Sequence, residues 1–265
     1  GAAAAAGAPP RAVAGRPSPT AALQLAWLSS RPARVEAYPS SAAAGDDACV
    51  LHSTRNESLI AAGDLVLIDA GCEFAYYAAD VTRTYPASGR YSQAQRALYD
   101  LVLKANRGAI AACRPGVAFN QPHDVATQIL VDGLIALGLL RGAAQALIAS
   151  CAHEKFCPHN TSHWLGLDVH DVGDYRLGEQ WRDLMPGMVL TVEPGIYIPR
   201  DSTTADVPEA FRGIGIRVED SVLITPQGCQ VLTEDLLKDP DEIERWMATK
   251  GSVGQSAQGL KEVVA

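Results

Sequence analysis

Asp64-Leu65-Val66-Leu67-Ile68-Asp69-Ala70-Gly71 is an apolar run of strand length that closes on an acid and a glycine. Its four consecutive aliphatic residues are too few for a helix, and the glycine ends the run as a turn residue does. Eleven residues beyond Asp69 comes Asp80, in the β-branched run Ala79-Asp80-Val81-Thr82-Arg83-Thr84. The stretch 71–78 suits a hairpin with a short irregular loop. Asp69 and Asp80 are therefore expected to face each other across an antiparallel ladder. Taken alone, these residues predict an α+β class with antiparallel pairing.

The same design recurs further along. Met188-Val189-Leu190-Thr191-Val192-Glu193-Pro194-Gly195 is again an apolar strand closed by an acid, and Gly213 to Ile224 places Glu219 inside another apolar strand. Any one of these acids reads as a strand-end turn residue. Four of them, in or closing apolar strands, would repel one another and be costly to bury uncompensated. Two divalent cations balance four negative charges.

A histidine pair joins them in Ser162-His163-Trp164-Leu165-Gly166-Leu167-Asp168-Val169-His170-Asp171-Val172-Gly173. Their odd separation puts the two rings on opposite faces of a regular strand, so they share a face only if the chain bends, which Gly166 and Gly173 permit. In the company of the acids, His163 reads as a single imidazole ligand. An oxygen-rich set with one imidazole suits Mn2+ better than structural Zn2+, which prefers tetrahedral Cys/His sets. Two such ions about 3.5–4 Å apart lower the pKa of a bridging water enough to make it a nucleophile near neutral pH.

The framing words Leu67 to Gly71, Asp80 to Thr84, Ser162 to Gly166, Thr191 to Gly195 and Arg217 to Asp220, with ligands in the order Asp, Asp, His, Glu, Glu, resemble the pita-bread metallopeptidases. Within them the pattern is most similar to the Xaa-Pro aminopeptidases, from about Val35 to about Trp246. The resemblance implies a pita-bread fold: a curved antiparallel sheet with helices on its outer face, built as pseudo-twofold halves. It implies Asp69, Asp80, His163, Glu193 and Glu219 as ligands of two divalent ions, most readily Mn2+, with Zn2+ or Co2+ as alternatives. It implies His52, His159 and His170 as catalytic residues of the cleft and Glu193 as proton shuttle. Arg217 would orient the metal-bound carboxylates, and Tyr197 reads equally as a pocket-wall or a core residue. The reaction implied is release of the N-terminal residue from peptides with proline second, by attack of a metal-bridging hydroxide. His170 would stabilise the oxyanion. The alternatives are an Xaa-Pro dipeptidase with the same ligands, and a catalytically silent protein-binding module. Such modules lose ligands, and none of the five is missing.

Composition agrees. Hydrophobic residues make up 48% of the chain and the net charge is −8, which argues against a nucleic-acid partner. No run of eighteen apolar residues marks a membrane span. The expected partners are peptides with an N-terminal Xaa-Pro, and a homo-oligomer is compatible with the pattern. The six cysteines form no Cys-x-x-Cys pair and read as buried thiols of a reducing compartment. Ser92 and Gln95 form a capping-box pattern ahead of a helix ending near Cys113, and a second helix starts near Pro122. His123, near that start, reads as surface. Residues 1–34, rich in Ala, Pro, Ser and Arg, read as a disordered, linker or targeting segment, 35–246 as the catalytic domain and 247–265 as a flexible tail. The segment leaves two locations open, cytoplasmic or mitochondrial/plastid. The N-terminal domain usual in these aminopeptidases is expected to have no counterpart within residues 1–34, and Asn160-Thr161 departs from the small-apolar pair common in relatives.

Overall fold

The computed structural model describes residues 35–51, 59–202 and 206–250. His52, the Ala/Pro-rich segment 1–34 and residues 251–265 lie outside them. The chain runs β1 (Val35–Glu36), β2 (Ser41–Ala44), β3 (Leu65–Asp69), β4 (Cys72–Phe74), β5 (Tyr77–Ala78), β6 (Thr82–Pro86), α1 (Gln93–Ala112), α2 (Gln121–Ala136), α3 (Ala144–Ala149), β7 (Arg176–Leu177) and β8 (Gln180–Trp181). It continues with β9 (Val189–Val192), β10 (Gly195–Ile198), β11 (Ile214–Arg217), β12 (Asp220–Thr225), β13 (Gly228–Val231) and α4 (Pro240–Lys250). The last helix passes Trp246, where the sequence reading ends the domain. Among the described residues, no helix is long and apolar enough to cross a membrane.

The strands of the described residues pair antiparallel throughout. The first half of the chain forms the sheet β2-β3-β6, and the second forms β13-β12-β9 with β10-β11 beside it. The halves join where β6 meets β11: the Arg217 amide donates to Thr84 Oγ1 at 3.2 Å, and that hydroxyl donates to the Arg217 carbonyl at 2.9 Å.

Helix α1 begins as its sequence requires. The Gln95 amide donates to Ser92 Oγ, and the Ser92 amide donates back to Gln95 Oε1 at 2.8 Å. Leu98, Val102, Ala105 and Ala109 recur along one face at helical spacing and are fully buried. They pack with Leu130, Val131 and Leu134 of α2 and with Leu190, Val192, Ile196, Ile216 and Val222 of the strands, in one contiguous core. Each large aliphatic side chain so buried contributes about 1.5–3 kcal/mol. This layer backs the sheets, and Asp69, Asp80, Glu193 and Glu219 line a cavity instead of joining that core.

Several expectations need correction. Asp69 pairs with Thr82, not with Asp80. The stretch after Gly71 is no irregular loop: β4 and β5 form their own hairpin, joined to β1. Their insertion shifts the register, so Asp80 precedes β6. Glu219 lies in no strand, because the chain switches partners between Arg217 and Asp220, from β10 to β9 and β13. The run 162–173 is not a strand either; only Trp164 makes a bridge, to Leu190, and the chain then turns back on itself. The six cysteines are free, but only Cys72 and Cys113 are buried; Cys49, Cys157 and Cys229 are half-buried and Cys151 is exposed.

Candidate metal centre

Strand β3 delivers Asp69 to the sheet end, and the chain then needs a residue without a side chain. A Cβ on Gly71 would lie 1.7 Å from the Ala79 carbonyl oxygen. That close approach, with the Ala70 amide donating to Val81 O at 3.1 Å, brings Asp80 beside Asp69. One hydroxyl serves both carboxylates: Tyr38 Oη is 2.6 Å from Asp69 Oδ1 and 2.5 Å from Asp80 Oδ1.

The second half supplies the remaining groups. The Glu193 amide, just past β9, is held by Thr161 O at 2.8 Å. His163 is fixed on both sides of Thr191, whose hydroxyl accepts from the His163 amide at 3.1 Å and whose amide donates to His163 O. The His163 Nδ1 is 2.9 Å from Trp164 O. A carbonyl only accepts, so Nδ1 carries a hydrogen and Nε2 is the atom aimed at the acids. Nε2 lies 3.3 Å from both Asp80 Oδ2 and Glu193 Oε1. Thr82, opposite Asp69, donates to Glu219 Oε2 at 2.6 Å and accepts from Arg217 Nε at 3.0 Å.

Arg217 is buried. Its Nη2 meets Asp69 Oδ2 at 2.6 Å and its Nη1 meets the Tyr197 hydroxyl at 2.9 Å. That hydroxyl lies 2.8 Å from His159 Nε2, whose Nδ1 faces Asn160 O. Tyr197 is thus buried behind the site, in an Arg217–Tyr197–His159 chain. His159 Nδ1 is 4.0 Å from Glu193 Oε2. The bend after Trp164 returns His170 to His163, with ring centroids 4.5 Å apart and near-perpendicular planes. The seven-residue gap therefore places the two rings together through a turn, not along a strand.

The electrostatics of this cluster call for cations. Burial first, then Asp80, Glu193 and Asp69, hold the Glu219 carboxyl well above its ordinary pKa. Asp80 is likewise raised, chiefly by burial. Burial opposes charge on His163, but its hydrogen bonds to Asp80 and Glu193 outweigh that and push it up to about 11. Glu193 is lowered despite burial, by His163, His159 and Arg217. Asp80, His163 and Glu219 present ligand atoms all within 4.8 Å of one another. The donor set of carboxylates and one imidazole fits hard divalent ions, which would relieve the crowded acids.

These groups form the floor of a cavity of about 1320 Å³ that runs out past His159 and His170 to Phe119 and Trp181. His123 belongs to its wall and is no surface residue: its Nδ1 accepts from the Thr161 amide at 3.3 Å, and burial lowers its pKa. Sequence reasoning misses Tyr38, Thr82 and His123 as parts of the site. Thr82 carries a signal, because alternation puts it on the same strand face as Asp80. Tyr38 carries none, since a tyrosine in a loop points nowhere until the loop is placed.

The model of metallopeptidase family M24 matches residues 20–226. Among curated proteins, the Xaa-Pro aminopeptidase of Escherichia coli (strain K12) is 49% identical over 215 residues, which is 81% of this chain and 48% of that protein. The Xaa-Pro aminopeptidase of Haemophilus influenzae is 50% identical over 215 residues, 81% of this chain and 49% of that protein. The chain thus spans about half the length of these relatives. Among solved structures, Pseudomonas aeruginosa aminopeptidase PepP superposes with a TM-score of 0.89 at 44% identity, covering 94% of this chain and 58% of that one. Zn-substituted E. coli aminopeptidase P in complex with product gives 0.87 at 44%, covering 93% and 55%. With its antiparallel halves, outer helices and ordered motifs, the chain has the pita-bread fold and belongs to metallopeptidase family M24.

Proposed function

We propose that this chain carries the catalytic site of a dimetal aminopeptidase that releases the N-terminal residue from peptides with proline in the second position. The observation that carries the reading is the convergence of Asp80, His163 and Glu219, with Asp69 and Glu193 adjoining, on the floor of one large cavity. Its similarity to proteins named Xaa-Pro aminopeptidase supports the same substrate class.

Asp69, Asp80, His163, Glu193 and Glu219 would hold two divalent ions, Mn2+ by choice of donors, and the ions would supply an activated water and polarise the scissile carbonyl. The chain's own residues do the rest. Glu193, with one carboxylate oxygen toward His163 and the other toward His159, would take a proton from the attacking water and deliver it to the proline nitrogen. His170, beside His163 on the cavity wall, would donate to the developing oxyanion. Arg217 fixes Asp69 through Oδ2 while Oδ1 stays beside Tyr38 and Asp80, and Tyr197 orients His159. His52 completes the proposed set.

The test is an assay of the Mn2+-loaded protein on an Xaa-Pro dipeptide and an Xaa-Pro-Xaa tripeptide. Cleavage of the tripeptide is expected. Cleavage of the dipeptide alone would make it an Xaa-Pro dipeptidase, and metal binding without cleavage of either would make it a silent binding module.

A further inference from the structure

Two glutamates of the proposed site sit where regular pairing lapses. Glu193 follows the last residue of β9, and Glu219 falls between β11 and β12. No ladder pairs Glu219; its amide donates to Thr82 O at 3.1 Å, and its carbonyl is held from another side.

Behind the sheet, away from the cavity, lies a buried polar network. Arg83 is 2% exposed, and each of its five N–H groups has an acceptor to meet. Nε donates to Leu237 O at 3.2 Å; Nη2 donates to Asp220 Oδ1 at 2.8 Å and to Leu236 O at 3.2 Å. Nη1 donates to Thr82 O at 3.0 Å and, in a short bond, to Glu219 O. Asp220 also accepts from Lys238 Nζ at 2.5 Å, and Lys238 donates in turn to Asn106 Oδ1 at 3.1 Å. Asn106, fully buried on α1, spends its amide hydrogens on Val192 O at 3.0 Å and Val218 O at 3.3 Å. Those carbonyls belong to the residues immediately before Glu193 and Glu219.

We infer that Arg83, Asp220, Lys238 and Asn106 form a positioning network that sets both glutamates for metal binding, with Arg83 holding the Glu219 backbone and Asn106 the approach to each. The inference rests on the two-metal reading of the site. None of the four lines the substrate cavity, so they act only through Glu193 and Glu219. A network that merely held the fold together would lower stability and leave metal affinity alone. A positioning network shows itself in the metal.

Arg83→Lys keeps the charge but lacks the planar fork of five donors. Asn106→Leu keeps the branched side-chain shape, slightly enlarged, and leaves both carbonyls without their donor. Each variant is titrated with Mn2+ by calorimetry, alongside its circular dichroism and its kinetics on an Xaa-Pro-Xaa peptide. Both are expected to keep a native spectrum and to bind at least one Mn2+ equivalent about 10–100-fold more weakly than the parent, the range typical of outer-shell changes. The parallel expectation is a fall in kcat of the same order with KM changed by less than about threefold, since cavity contacts are intact. If Arg83→Lys fails to fold, Asn106→Leu decides. Parental Mn2+ affinity and kcat in the folded variants, whatever their stability, overturn the network's role. A parent chain that binds no divalent ion overturns instead the reading on which it rests.

Discussion

Arg217 and Asp69 meet at 2.6 Å, Nη2 to Oδ2, although 148 residues separate them in the chain. The pair bridges the two halves of the fold beside the cavity floor. Burial disfavours the guanidinium charge, but Tyr197, Asp69, Glu193 and Glu219 outweigh it, so Arg217 stays cationic.

Breaking that pair leaves the half-buried Asp69 carboxylate with the Tyr38 hydroxyl but no cationic partner. Arg217→Ala is expected to cost about 3–5 kcal/mol of stability when measured by urea unfolding in the presence of a chelator. A loss under about 1 kcal/mol would place the pair among the weak surface type instead.

Glu193→Gln keeps the volume and removes both the charge and the proton acceptor. The fold should persist by circular dichroism, because the Glu193 backbone is held by Thr161 O. Turnover of an Xaa-Pro-Xaa peptide should fall at least about 100-fold. Near-parental activity would end the proton-shuttle assignment.

The crowded acids of the site repel one another, so cations that bind only the folded arrangement should stabilise it. Excess Mn2+ at about 100 times its dissociation constant should add about 2.7 kcal/mol, and a chelator should reverse the gain. Calorimetric scans with and without Mn2+ check this. Asp80→Asn should reduce the gain, and an unchanged gain would remove Asp80 from the ligand set.

His123 offers a pH test. Burial holds its folded pKa below the ordinary value of about 6.5. As pH falls through about 6.5 the unfolded chain takes up the proton first, so the fold loses stability from there down to the folded pKa and no further by this group. A ring titration by NMR should give a midpoint below that of free histidine. His123→Gln should flatten this part of the stability profile.

Much of the site is legible in the chain's local patterns. Asp69, Glu193 and Glu219 stand out because apolar strands rarely carry acids, and His163 gains its meaning from them. The capping box at Ser92 and the buried face of α1 follow from local rules that need no distant partner. Register is less accessible. An inserted hairpin, β4–β5, slides Asp80 out of the ladder, and only its pairing with β1 shows that this insertion is structured.

By itself the sequence determined the α+β class, the apolar runs that close on acids, and five candidate ligand residues in order, because alternation, capping and the cost of burying charge are properties of short stretches. Tertiary structure alone decided that Tyr38 bridges Asp69 and Asp80, that His170 folds back on His163, that His123 faces the cavity, and that Arg83 and Asn106 reach the carbonyls around Glu193 and Glu219. These contacts join residues tens to more than a hundred positions apart, or depend on where a chain bends. Hydrogen bonds act over about 3 Å, so they exist only once packing has brought both ends together.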